Sequence, residues 1–190
     1  VSTAYTSPMQ DEKIEEKLHS TSDFLNSYQT SKWSAEQTLA NMQKTHGLPI
    51  TVFRPSIIVG DSKSGWSAGK AFGFYMFLNA FKTAKHMGLR SLQFDVTANA
   101  GPCLVHIDSL ADAALSLSKI NQNQRAFEIV HCTGKTALNN NEILTIMSAV
   151  SGLDYINKSP RDLFERRVAS LVEKNKLFAE HDWSFHTTRM

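Results

Sequence analysis

Tyr28 and Lys32 stand four positions apart in the stretch SYQTSKWSAEQ, which runs from Ser27 to Gln37. On an α-helix, positions i and i+4 lie one above the other with Cβ atoms ~5–6 Å apart, so a phenol and an ammonium would share one face. The pair gains weight from VSTAYT, which opens the chain. A strand ending in hydroxyl residues delivers a Ser or Thr to the C-terminal edge of a parallel sheet, where α/β proteins bind ligands. A hydroxyl, a phenol and an ammonium converging there form a proton-transfer set for interconverting a carbonyl and an alcohol. Tyr28 would give a proton to the carbonyl oxygen or take it from the alcohol. Thr3 would hydrogen-bond that same oxygen, with Ser2 the second candidate, and Lys32 would stabilise the tyrosinate. A free phenol titrates near pH ~10, so working at neutrality needs ~4 kcal/mol in favour of the anion. One cation at ~4 Å supplies about 4 kcal/mol at an effective dielectric near 20. The hydride has to come from a cofactor, because no side chain provides one.

The elements that would position these groups alternate in type. Residues DFLNSYQTSKWSAEQTLANMQKTHG carry apolar side chains at helical intervals and stop at Gly47, a fitting C-cap. LPITVFRP is a short β-branched run ended by Pro55, IIVGDSKSGWSAG a Gly/Ser loop, and KAFGFYMFLNAFKTAKH an apolar helix. CLVHI reads as a strand, DSLADAALSLSKI as a helix with a Ser109/Asp112 capping box, AFEIVHCTG as a strand and NNNEILTIMSAVSG as a helix ending at Gly152. A last helix, RDLFERRVASLVEKNKLF, is expected to open with Ser159 as N-cap and Pro160 at the first position. Strands alternating with helices indicate βαβ units, so the fold class is α/β with a Rossmann-type parallel sheet.

Net charge is +2 with 20% charged and 42% hydrophobic residues, the profile of an ordinary soluble globular protein. No block of like charge argues for nucleic acid or an anionic membrane. No apolar run reaches the length of a transmembrane helix. Two cysteines, Cys103 and Cys132, are too few for a disulfide framework, and a reducing cytoplasmic setting follows. GDSKSGW nearly matches a phosphate-binding loop, but Trp66 stands where the lysine must be. Gly65, Gly69 and Gly73 suggest close helix packing. His106 and Asp108 read as a strand-end histidine and a helix-capping aspartate rather than metal ligands. Phe72, Phe74, Tyr75, Phe77 and Phe81 read as core, and the stripe Phe164, Val168, Leu171 and Val172 as packing surface.

Taken in order, VSTAY, YQTSK, GLPITVFRPSIIVGDSKSG and LVHIDSLADAAL resemble the extended short-chain dehydrogenase/reductase (epimerase/dehydratase) superfamily. Within it they most resemble the male-sterility branch, which contains thioester reductases and fatty acyl-CoA reductases. The similarity covers roughly the first 150 residues, and its specificity lies in four motifs occurring in register. The resemblance implies a Rossmann domain using NAD or NADP, NADP slightly favoured, with Thr3, Tyr28 and Lys32 as the catalytic set. Lys32 would also bind the nicotinamide ribose. Ser2, Tyr28, Pro55, Ser56 and Ile57 would complete the cofactor contacts, Ser56 foremost among those after the strand.

Two departures shape the expectation. Where sugar-nucleotide dehydratases of the superfamily carry an Asp-Glu pair after the strand-end Thr, this chain has Ala4 and Tyr5. The Gly-rich pyrophosphate turn and the acidic residue that reads the ribose are not found, which implies roughly a hundred residues upstream. The chain therefore reads as the carboxyl-proximal portion of a larger reductase. Residues 1–150 would form the catalytic half of the NAD(P)-binding domain, and residues 151–190 a helical segment on the substrate side. The expected partner is a small molecule, with an apolar acyl or aromatic substrate suggested by Trp66, Phe72 and Tyr75. A nucleotide-sugar epimerase with tightly held NAD and a non-catalytic dinucleotide sensor are the competing readings.

Overall fold

The computed structural model describes residues 1–7, 13–20, 24, 26–67, 73–120, 126–134 and 138–188. Phe72 and Gly69 lie outside them, as do the side chains of Leu171 and Val172. The chain divides into two compact units. One comprises residues 1–67, 103–135 and 184–190, the other residues 68–102 and 136–183.

The first unit contains helix α1 (Ser27–His46), strands β1 (Ile50–Pro55) and β2 (Ile57–Val59), strand β4 (Leu104–His106), helix α3 (Ile107–Ile120) and strand β5 (Phe127–Cys132). The strands pair in parallel, β1 with β5 and β2 with β4. Residues 1–3 lie alongside β1, where Ser2 N donates to Phe53 O at 2.8 Å. Successive side chains of a strand point to opposite faces. Phe53, Val105, Val130 and Cys132 form an apolar layer covered by Leu110, Ala113 and Leu117 of α3. The alternate register pair, Arg54 opposite His131, is fully buried and polar.

Helix α1 starts at Asn26, whose side chain accepts from Gln29 N, and stops at Gly47 in the left-handed region with φ 66°. Its inward residues are Gln29, Glu36 and Ala40. Two of these three are polar, so this helix has no apolar stripe, and its inner face is made to be hydrogen-bonded.

The second unit holds α2 (Tyr75–His86), β3 (Ser91–Gln93), α4 (Asn140–Ser151), β6 (Asp154–Ile156) and α5 (Leu163–Ala179), with β3 and β6 parallel. Phe77, Phe81, Phe94 and Tyr155 form its aromatic core, the Phe94 and Tyr155 rings 4.9 Å apart. The expected role of Phe77 and Phe81 as core holds. Asn139 and Glu142 form a reciprocal capping box on α4, and Gly152 closes it.

Several local expectations are corrected. α3 begins at Ile107, directly from β4, so Ser109 lies inside the helix and cannot cap it. α5 is capped by Asp162, whose side chain accepts from Glu165 N, while Ser159 donates to Asp95 instead. Gly65 and Gly73 adopt φ of 67° and 57° outside any helix, so they serve turns rather than helix packing. The three-residue strands β2, β3 and β6 were not foreseen, unlike β4 of the same length.

Candidate active site

The catalytic and cofactor candidates, Ser2, Thr3, Tyr28, Lys32, Pro55, Ser56 and Ile57, all belong to the first unit. Thr3 is buried, and its Oγ1 accepts from Tyr5 N at 3.4 Å. This bond caps a single 3₁₀ turn, Ala4–Thr6, that follows the extended start of the chain. Tyr28 occupies the first turn of α1 and is 52% exposed. Lys32 lies one turn on, its Nζ 5.9 Å from the centroid of the Tyr28 ring. The helix turn that carries Tyr28 is linked directly to the turn after Thr3. The neighbouring Gln29, 1% exposed, donates from Nε2 to Tyr5 O at 2.8 Å. Gln29 thus ties the helix turn that carries Tyr28 to the chain just past Thr3.

Pro55, Ser56 and Ile57 sit where the strand changes partners. Ser56 N donates to Cys132 O, at the end of β5, and Ile57 N donates to Cys103 O, just before β4, each at 3.0 Å. Chain held on both sides in this way is rigid. Ser2 Oγ is buried without a hydrogen-bond partner, and the Ser56 hydroxyl, also buried, has only the weakly accepting Cys103 thiol beside it. A buried hydroxyl left unpaired costs roughly 1–3 kcal/mol, and such groups in a folded protein call for a ligand or a water.

Behind these residues lies a network that the sequence did not disclose. Glu36 and Arg54 form a forked ion pair, Nε to Oε1 at 2.9 Å and Nη2 to Oε2 at 2.5 Å, with side-chain exposures of 1% and 0%. Thr6 Oγ1, on the 3₁₀ turn, donates to the same carboxylate at 3.3 Å. Arg54 Nη1 donates to Lys17 O at 3.1 Å and approaches His131 Nε2 at 3.4 Å. His131 Nδ1 lies 2.9 Å from His186 O. A carbonyl only accepts, so Nδ1 carries the proton and Nε2 offers its lone pair to Arg54. Glu16 fixes the far side, accepting from His131 N at 2.8 Å and from the Thr188 hydroxyl.

Charge and burial hold these groups in definite states. Burial, helped by the charge of Arg54, pulls His19 down to about 4. Burial also pulls His131 down to about 4, the Arg54 charge adding to it and the bond to His186 O opposing it. Burial pushes the Cys103 thiol up, with hydroxyls of Ser56 and Thr133 and the backbone of Gly134 partly offsetting it. Burial alone pushes Cys132 up to about 11.

The near-phosphate loop is an aspartate turn. Asp61 Oδ1 accepts from Lys63 N, Ser64 N and Ser64 Oγ, and Asp108 accepts from Ser62 N and Oγ. His106 Nδ1 lies 2.9 Å from Gly60 O. Among the described residues no group of three or more His, Cys, Asp or Glu side chains is placed to hold a metal. No described helix is long and apolar enough to cross a membrane.

The family model described as male sterility protein matches residues 1–109. No curated protein matches the chain. Among solved structures, the chain is similar to a UDP-glucose-4-epimerase from Stenotrophomonas maltophila with bound NAD, at 17% identity and a TM-score of 0.64, covering 94% of this chain and 61% of that one. It is also similar to a UDP-glucuronic acid 4-epimerase from Bacillus cereus in complex with NAD (17% identity, TM-score 0.59, 96% and 59% covered). RMD from Pseudomonas aeruginosa complexed with NADPH is matched at 10% identity and TM-score 0.59, over 93% and 65%. These likenesses show the Rossmann-type parallel α/β fold, and the chain spans less than two thirds of the length of each of these three proteins.

Proposed function

Since the chain belongs to the male sterility protein family of extended short-chain dehydrogenase/reductase domains, whose members are NAD-dependent enzymes, we propose that it forms the catalytic part of an NAD(P)-dependent oxidoreductase. The reaction is hydride transfer to a carbonyl or an acyl thioester. Tyr28 is the acid/base, Thr3 binds the substrate oxygen, and Lys32 stabilises the tyrosinate and binds the ribose.

The observation that carries this reading is the Gln29–Tyr5 bond. It ties the first turn of α1, which carries Tyr28, to the turn that follows Thr3, which supports reading the two residues as parts of one site. Tyr28 is exposed and has its ring open to a ligand. Buried Glu36 and Arg54 hold the rest of α1 against the sheet, which keeps Lys32 in register with Tyr28.

The residues present fit a nicotinamide dinucleotide. The buried hydroxyls of Ser2 and Ser56 lie beside the C-terminal part of β1 and match the donors and acceptors of a carboxamide. Ser2, Pro55, Ser56 and Ile57 would hold the nicotinamide end, with Tyr28 and Lys32 on the ribose. When bound, the dinucleotide supplies the reducing equivalent. Tyr28 then delivers its proton to the substrate oxygen, and the charge left on the phenol is held by Lys32. Trp66, 68% exposed, offers apolar surface to an acyl or aromatic substrate.

The test is consumption of NADPH or NADH by the full-length protein supplied with aldehydes and acyl thioesters. Net oxidation of the cofactor is expected. Interconversion of a nucleotide sugar with no net cofactor turnover would replace the reductase with an epimerase.

A further inference from the structure

Tyr5 follows Thr3 by two residues and is buried, at 3% exposure. Its hydroxyl donates to Cys103 O at 3.2 Å, the same carbonyl that takes Ile57 N at the start of β2. Its ring meets Phe185 edge-on, the centroids 5.7 Å apart. The side chain is thus anchored at its tip and along its ring, while its backbone reaches both groups assigned above to the substrate oxygen. Tyr5 N donates to Thr3 Oγ1 at 3.4 Å. Tyr5 O accepts from Gln29 Nε2 at 2.8 Å, and Gln29 adjoins Tyr28 on α1. The first of these bonds has a chemical consequence. A threonine hydroxyl has one proton to give and two lone pairs. Tyr5 N–H occupies a lone pair, and among the described residues no acceptor takes the proton. Thr3, itself buried, keeps its donor for a ligand, and a carbonyl oxygen is an acceptor that fits.

We propose that Tyr5 is a positioning residue: braced by Cys103 O and Phe185, its backbone sets where the Thr3 hydroxyl stands relative to the helix turn of Tyr28. The proposal rests on the hydride-transfer reading above and adds to it a residue that touches neither substrate nor cofactor. Without the brace the turn Ala4–Thr6 shifts, and misplacing an orienting group by ~1 Å costs up to about 10²-fold in rate. The effect falls on turnover rather than on dinucleotide affinity. The cofactor contacts assigned to Lys32, Ser56 and Ile57 belong to α1 and to the β1–β2 segment, not to this turn.

The experiment compares full-length Tyr5→Phe, Thr3→Ala and the double variant, using NADPH or NADH and the aldehyde or acyl thioester that the parent reduces. Tyr5→Phe keeps the ring and removes only the bond to Cys103 O. It should lower kcat about 10–100-fold, with the dissociation constant of NADPH or NADH, read by fluorescence, unchanged. In the Thr3→Ala background the same change should cost less than about twofold, because no hydroxyl is left to position. Tyr155→Phe is the control. It removes the same kind of bond in the second unit, Tyr155 Oη to Phe94 O at 2.8 Å, and should leave kcat at the parental value. An equal fall in both tyrosine variants would mark a general destabilisation and overturn the proposal. Gln29→Met takes the donor away from Tyr5 O and should show the same dependence on Thr3. It carries the test if Tyr5→Phe does not fold, and a loss that persists in full without the Thr3 hydroxyl overturns the proposal. Parental kcat in Tyr5→Phe, or losses for Tyr5→Phe and Thr3→Ala that multiply, overturns it while the hydride-transfer reading survives. If the parent oxidises neither NADPH nor NADH with any of these carbonyl substrates, the reading itself falls and takes the proposal with it.

Discussion

Replacing Glu36 by Gln removes one charge from the pair that anchors α1 to the sheet. Arg54 has no exposed surface, and its remaining partners in the network are Lys17 O and neutral His131, neither of which carries a negative charge. Glu16 is engaged with His131 N and Thr188. The guanidinium would then be buried without a counter-charge, and the new amide would turn a donor toward either Arg54 or Thr6. Breaking a buried ion pair from one side costs about 3–5 kcal/mol. That is a large part of the roughly 5–15 kcal/mol that holds a typical domain together. Urea unfolding of the full-length protein should show a lower midpoint with an unchanged slope. Removing both charges, as Glu36→Leu with Arg54→Met, should be less damaging than Glu36→Gln alone, because no charge is left stranded. A Glu36→Gln protein within ~0.5 kcal/mol of the parent would refute the reasoning. So would a double variant whose loss is the sum of the two single losses.

Two further outcomes follow from particular residues. His19 and His131 are held neutral, both near 4, against ~6.5 in an unfolded chain. Above that value neither state binds the proton. As pH falls from about 6.5 toward 4 the unfolded chain gains two protons that the native one refuses, so stability declines across this window and levels off below it. Denaturant titrations at several pH values should show that slope, and His19→Phe should reduce it by about one proton; an unchanged slope would rule out His19 as a source. In the second unit, a Cβ at Gly101 would lie 2.4 Å from Leu138 O and 2.9 Å from Asn139 Cα, both backbone atoms. Gly101→Ala should therefore destabilise by about 1–3 kcal/mol as overpacking does, and an unchanged melting temperature would contradict that contact.

Much of the fold could be read from the sequence because its longer elements carry their own punctuation. α1 ends at Gly47 and α4 at Gly152, as their residue types required, and both glycines take a left-handed backbone. β1 and β5 declared themselves through β-branched and aromatic runs. β2, β3 and β6 stayed hidden because each lies among turn-forming or polar residues, whereas the equally short β4 stood out within CLVHI, and Asp162 outcompeted Ser159 as a cap by lying next to the helix start. In the site, the spacing of Tyr28 and Lys32 was visible because both lie on one helix. The Glu36–Arg54–His131 network was not, since its members come from α1, β1 and β5 and meet only after folding. One signal did exist. Arg54 interrupts an otherwise apolar strand beside Phe53, and a charge in a central strand demands a buried partner. The orphan hydroxyl of Ser2 also has no sequence signature, because an absent hydrogen bond belongs to the fold alone.

The most direct measurement of the central claim is turnover by full-length Tyr28→Phe alongside its affinity for NADPH and NADH. Losing the phenolic proton while keeping the ring should lower the rate of carbonyl reduction about 10²–10⁴-fold, the usual weight of a positioned acid/base, with dinucleotide affinity nearly unchanged. A Tyr28→Phe protein that reduces its substrate at the parental rate would contradict the assignment of Tyr28 as the proton donor.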